Sequence, residues 1–270
     1  MWTLARHEWK RAATGAVLAW FTVIFFLLAV LTLYFGVQAY GDISFQALNK
    51  TTSSLLQLAF YFIPVATLLL SSMSVAGEWE DGTALLLWQT VKPVSILAGK
   101  WLGLTLAMMI SVCLGFGFAG LVSAVRGLAS GWVFFVFIGV LLLLSMIFLA
   151  IGLAVGAWCK DRLTAVLVSL FIWFFAIVIY PFCSMALFIT VPSVLHVPLA
   201  IGLQMFNPAD FLRVYAAFKI GGEAVFGSHF YALGQWSKTG WMDATVLAWS
   251  AVWVGIGLWW AVMGWKRRGK

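Results

Sequence analysis

The sequence predicts an all-α integral membrane protein with six transmembrane helices, and three observations predict it. Of the 270 residues, 64% are hydrophobic and 9% charged, with a mean hydropathy of +1.04; a soluble domain carries about 25% charged residues. The charges bound uncharged intervals long enough for a span, which needs about 20 apolar residues. These enclose 30 residues between Arg11 and Asp42, 27 between Lys50 and Glu78, 25 between Lys100 and Arg126, 33 between Arg126 and Lys160, 47 between Arg162 and Asp210, and 22 between Asp243 and Lys266. Finally, six spans with the N-terminus inside place 11 of the 16 Lys and Arg on the cytoplasmic side, as the positive-inside rule requires. A seventh span would expel the Lys266–Lys270 cluster.

The elements follow in order. Residues 2–13 read as an interfacial helix, with Trp2 and Trp9 toward lipid and Arg6 and Lys10 toward headgroups; an ordinary basic tail is the competing reading. Spans are expected at 14–39, 54–76, 97–124, 132–157, 163–190 and 244–265. The 47-residue interval is read as one span plus a re-entrant or membrane-associated segment, broken at Pro192 and Pro198. Residues 191–242 form the largest outer segment. Within it, Asn207-Pro208-Ala209-Asp210 is a turn-and-cap pattern that should start a helix bearing Phe211, Leu212, Val214 and Tyr215. Gly152-x-x-x-Gly156, Gly99-x-x-x-Gly103 and Gly115-Phe-Gly-Phe-Ala-Gly120 read as helix-packing faces. The last formally matches a nucleotide fingerprint but lacks the preceding strand.

The crossing between spans 2 and 3 carries three of the nine acidic residues within four positions, Glu78, Glu80 and Asp81. Carboxylates are costly in hydrocarbon, so this is a polar loop. Gly77 and Gly82 would permit turns, and acids before an apolar run suit a helix N-terminus. The residues alone leave two readings open: a short amphipathic helix at the cytoplasmic surface, or a solvated loop.

Several chemistries lack their residues. Gly222 and Gly227 have the spacing of a phosphate loop, but Ser228 stands where lysine is needed. Cys113, Cys159 and Cys183 form no metal or disulfide spacing. His7, His196 and His229 lie outside span centres, and His196 is read as a surface histidine rather than a ligand. The nine methionines read as core filler. The net charge of +7 is explained by topology rather than nucleic acid. No cofactor, metal or catalytic group is expected in this chain, and any energy must arrive from a partner.

Taken together, the interfacial N-helix, six spans, large outer segment and basic C-terminus resemble the permease subunits of type 2 ABC exporters. The specific stretch is 77–103: Gly-Glu-Trp-Glu-Asp-Gly-Thr, then Leu85-Leu86-Leu87-Trp88, Lys92, Ile96-Leu-Ala-Gly99-Lys100 and Gly103. The resemblance implies that residues 77–95 are a coupling region. Glu78, Trp79, Glu80, Asp81, Gly82, Thr83, Leu85, Leu86, Trp88 and Lys92 would then face a cytoplasmic ATPase dimer that holds ATP and Mg2+. It also implies a homodimer in a bacterial inner membrane with both termini cytoplasmic. Within the family, Asn207, Pro208, Asp210 and Arg213 are similar to the outer segment of permeases serving copper-centre maturation of nitrous-oxide reductase. There they would face a periplasmic β-helical protein. Export of a lipid, drug or glycan, and a non-transporting membrane scaffold, are the alternatives.

Overall fold

With few charges to solvate and every backbone amide needing a partner in lipid, the chain closes its hydrogen bonds within helices. The computed structural model describes residues 16–40, 45–84, 89, 91–125, 131–192, 195–221 and 240–268. All the regular structure among them is helical. In chain order the helices are α1 (Ala16–Tyr40), α2 (Phe45–Glu80), α3 (Pro93–Val125), α4 (Gly131–Trp158), α5 (Arg162–Thr190), α6 (His196–Phe206), α7 (Pro208–Gly221) and α8 (Gly240–Arg268). Within α2, α3, α4, α5 and α8, five stretches are long and apolar enough to cross a membrane. In α1 the described apolar stretch, Ala19–Leu31, is shorter. The interfacial helix expected at 2–13, with Trp2, Arg6, Trp9 and Lys10, lies outside the described residues.

Small residues set the packing. A Cβ on Gly152 would collide with Ser71 Oγ, and one on Gly156 with the Ser72 carbonyl, so α4 lies backbone-close on α2. Gly115 likewise admits Phe25 of α1 against α3, where Phe25 stacks on Phe116 at 5.5 Å. Gly117 of the same run has open space beside it. Ser169 of α5 donates to or accepts from Ser72 of α2 at 2.9 Å. Hydroxyls on the apolar helices also turn back on their own backbone: Thr67 donates to the Ile63 carbonyl at 2.8 Å and Ser71 to that of Thr67 at 2.6 Å.

The long uncharged interval resolves into α5, α6 and the start of α7. α5 ends at Thr190, two residues before Pro192, which cannot continue it. Pro198 does not break a helix as expected; it sits in the first turn of α6, where a missing N–H costs nothing. Inside α5, residues Phe175–Ile179 adopt a π turn. Pro181 explains it. The Tyr180 amide is diverted to the Phe175 carbonyl, and Pro181 has no N–H to offer, so the Ala176 carbonyl loses its partner within the helix. α6 runs back alongside the end of α5. Phe188 meets His196 at 5.7 Å and the Tyr180 hydroxyl donates to the Leu203 carbonyl at 2.5 Å. The α6–α7 turn thereby reaches Ala176, the middle residue of α5.

Candidate functional site: the acidic turn and its braces

The acidic crossing begins as the continuation of α2. Its carboxylates were expected at a helix N-terminus; they instead finish a helix that runs unbroken to Glu80. Gly77 is helical rather than a turn residue. The stop is Gly82, whose φ of +75° lies in the left-handed region, where a side chain would be strained. Its amide bonds the Trp79 carbonyl at 3.3 Å and that of Asp81 the Gly77 carbonyl at 2.8 Å. Acids at a helix C-terminus oppose the dipole, and cations from other helices offset this.

The three acids divide. Glu78 turns inward: 6% exposed, it meets Lys100 of α3 at 2.7 Å, and Lys100, 2% exposed, also donates to Ser74 at 3.1 Å. Desolvation makes such a pair costly to break from one side. Glu78 is therefore a strut within this chain, not part of an outward face. Glu80 and Asp81 are exposed and meet Arg162, the first residue of α5. Its guanidinium lies 2.5 Å from Asp81 Oδ2 and 3.7 Å from Glu80 Oε2. Its backbone amide donates to Glu80 Oε2 at 3.0 Å. Asp161, the residue at the N-cap of α5, makes no side-chain cap bond. Glu80 thus supplies the cap across 82 residues of sequence. An acid of the crossing therefore serves the N-terminus of α5.

Trp79 packs into the far end of α8. Its ring lies 5.0 Å from that of Trp265, which is fully buried, and Arg268 sits over Trp79 at 5.1 Å. Trp158 at the end of α4 donates to the Trp260 carbonyl at 3.2 Å, and Arg267 lies over its ring at 5.3 Å. Between them, burial pushes the Cys159 thiol above its usual range, opposed by the charge of Arg268. Outward there remain Glu80, Asp81, Gly82, Thr83 and, across the loop, Lys92. Leu85, Leu86 and Trp88 lie outside the described residues. The sequence reading missed Arg162, Trp265 and Arg268 as parts of this site. Their signal was the basic residue opening one cytoplasmic helix end and closing another.

At the opposite end of the bundle, the Asn207 motif starts α7 as expected, with Pro208 at its first position. Asn207 Oδ1 accepts the Ala209 amide at 3.1 Å. Its Nδ2 donates to Asp210 Oδ2 at 3.0 Å and, at 2.6 Å, to the Ala176 carbonyl that Pro181 orphans. Asp210 pairs with Arg213 at 3.1 Å, and Arg213 lies over the rings of Phe60 and Tyr61 of α2. Asn207, at 3% exposure, and Pro208 are buried, and Asp210 and Arg213 partly so. Of the four expected to face a periplasmic partner, Asn207 and Arg213 reach other helices of this chain, Asp210 pairs within α7, and Pro208 opens that helix. Farther along α7, Tyr215 and Lys219 both reach Asp243 of α8, at 2.7 and 2.8 Å. Between α6, α7 and α8 lies an apolar cavity of about 260 Å³, lined in part by Met205, Phe211, Val246 and Trp249.

Two helix ends and a turn locked by ion pairs, at one end of five apolar helices, describe a multi-pass membrane protein whose acidic turn is built as one unit with its spans. Residues 2–261 match the model of the ABC-2 family of transporter proteins, and the chain belongs to that family. It is 30% identical over 272 residues to the "probable ABC transporter permease protein NosY" of Pseudomonas aeruginosa, covering 96% of this chain and 93% of that one. Against the protein of the same description from Stutzerimonas stutzeri it is 30% identical over 220 residues, 79% of this chain and 80% of that one.

Proposed function

We propose that this chain is the membrane-spanning permease subunit of an ATP-driven ABC transporter, with NosY-like service to copper-centre maturation of nitrous-oxide reductase. The observation that carries the energy-coupling part is the cytoplasmic turn. It presents Glu80, Asp81, Gly82 and Thr83 outward, while Glu78 and Trp79 tie the same turn to α3 and α8. A partner pressing on such a turn moves the spans rather than bending a loop. In this reading a cytoplasmic ATPase dimer docks there and holds ATP and Mg2+; this chain binds no cofactor. α1 is the sixth span, α6 and α7 form a re-entrant hairpin, residues 77–95 are the coupling region, and both termini are cytoplasmic in an inner membrane. α5 exposes Leu163, Leu167, Phe171, Phe182 and Ile189 along its length. That face suits a second copy of the chain, giving a homodimer around α5.

The NosY-named relatives support the maturation reading, in which a periplasmic β-helical protein receives the output. The apolar cavity between α6, α7 and α8 favours a second reading, export of an amphiphile such as a lipid. The test is recovery of partners with the tagged chain from native membranes, wild type against Glu80→Ala/Asp81→Ala. The wild type should bring down an ATPase and the double variant, inserted normally, should lose it. An ATPase retained by the double variant overturns the docking assignment. A secreted β-helical protein in the same eluate supports maturation, and the ATPase alone favours export. With no ATPase at all, a membrane scaffold replaces both.

A further inference from the structure

We infer that α5 is the helix to which the cytoplasmic turn delivers its movement, and that Arg162 is the positioning residue that makes the delivery. The inference rests on the coupling reading above. Of the contacts that brace the turn, those to α3 and α8 are buried: Lys100 is 2% exposed and Trp265 fully covered. They hold the turn inside the bundle. The contact to α5 differs in place. It sits at the surface and uses the same two carboxylates that face outward, Glu80 and Asp81.

It also grips α5 by its backbone. Glu80 Oε2 accepts the Arg162 amide, the first of the free N–H groups at that helix end, and no cap comes from Asp161. Gly77, one turn back on α2, has no side chain, and the Arg162 guanidinium lies on that bare surface; a Cβ there would fall 2.8 Å from Nε. The cation is thus held by two acids from one side and seated on helix backbone from the other. Beyond that tip, α5 is tied to α2 by the Ser169–Ser72 bond and by the Trp173 indole, which donates to the Tyr61 carbonyl at 2.9 Å. It is the least buried of the spanning helices, it carries the π turn at Phe175–Ile179, and its outer half leans on α6 and α7. A helix tied to α2 at its tip and along its first half, softened in its middle and exposed on its other side is the one that a displaced turn would carry with it. Its far connection is then the Ala176–Asn207 bond, which passes displacement to the outer hairpin.

The test uses the full chain in lipid nanodiscs with whatever ATPase co-purifies. Three variants leave the outward acids untouched: Arg162→Gln removes the cation, Arg162→Lys keeps it, and Gly77→Leu displaces the guanidinium with every charge in place. Amide exchange across 162–168 should quicken about tenfold in Arg162→Gln and Gly77→Leu, as expected for a helix end losing its tether. ATPase recovery should stay at the wild-type level while ATP turnover of the complex falls about tenfold. Arg162→Lys should stay within about threefold of wild type in both. Unchanged turnover in Arg162→Gln, or a Lys variant as impaired as the Gln variant, overturns the inference. So does loss of ATPase recovery in Arg162→Gln, because Arg162 would then belong to the docking face. If even the wild type recovers no ATPase, the coupling reading itself falls; unchanged exchange at 162–168 would then remove the trans cap as well, and quickened exchange would sustain it.

Discussion

The two ends of the bundle handle charge differently. At the end with the acidic turn, ion pairs cross between helices: Glu78 to Lys100 joins α2 to α3, and Asp81 to Arg162 joins α2 to α5. At the opposite end, the Asp210–Arg213 pair stays within one turn of α7, the Lys219–Asp243 pair joins α7 to α8, and the bond that joins α7 to α5 is neutral, Asn207 to a backbone carbonyl. The difference follows from what each end must satisfy. A helix that ends in three acids needs cations from elsewhere. A helix interrupted by Pro181 needs only one donor for one orphaned carbonyl, and an amide supplies it without bringing a net charge into an apolar bundle. The acidic end is therefore braced by charge, the opposite end by one ion pair and by hydrogen-bond repair.

Lys100→Met should break the comparison most severely. It leaves Glu78 buried without its cation and should destabilise the chain by about 3–5 kcal/mol, read as a fall in thermal midpoint in detergent. Adding Glu78→Leu should recover most of the loss; if the double variant is as unstable as the single, the pair is not the brace described here. Asn207→Ala comes next. Loss of a donor from the Ala176 carbonyl and of the acceptor for Ala209 should cost about 1–3 kcal/mol, with faster amide exchange confined to the π turn and the start of α7. Exchange changing evenly along α5 would argue against the repair. Gly82→Val places a branched side chain at positive φ and should cost about 1–2 kcal/mol, with reduced ATPase recovery as the second readout. Smallest is Arg213→Lys, which keeps the charge beside Asp210 but weakens the stacking on Phe60 and Tyr61, by about 0.5–1 kcal/mol. A larger loss there would mean that this end depends on the Arg213 contact with α2 as well as on the Lys219–Asp243 pair.

Much of this was legible in the residues. The ends of α2, α3 and α4 and both ends of α8 fall within a few residues of the charge boundaries, while α2 and α3 start early, at Phe45 and Pro93, and take Lys50 and Lys100 into their helices. Gly152 and Gly156 mark the α4–α2 contact as their spacing suggests. Asn207-Pro208 begins α7 through local bonds that sequence spacing can express. Pro181 was the overlooked signal: a proline within an apolar run predicts an unpaired carbonyl, and a buried amide elsewhere is its natural partner.

The sequence by itself determined that this chain is a bundle of membrane helices with an acidic crossing on the side rich in Lys and Arg. Those properties depend on length, hydropathy and charge counts, which are additive along a chain. Only the tertiary structure decided what each acid does. Glu78, Glu80 and Asp81 lie within one helical turn and look alike in sequence, yet one is buried against Lys100 and another caps α5 from 82 residues away. That division depends on which helix ends meet around the acidic turn. The meeting is set by the fit of glycine against backbone between helices far apart in the chain, information that no local spacing carries.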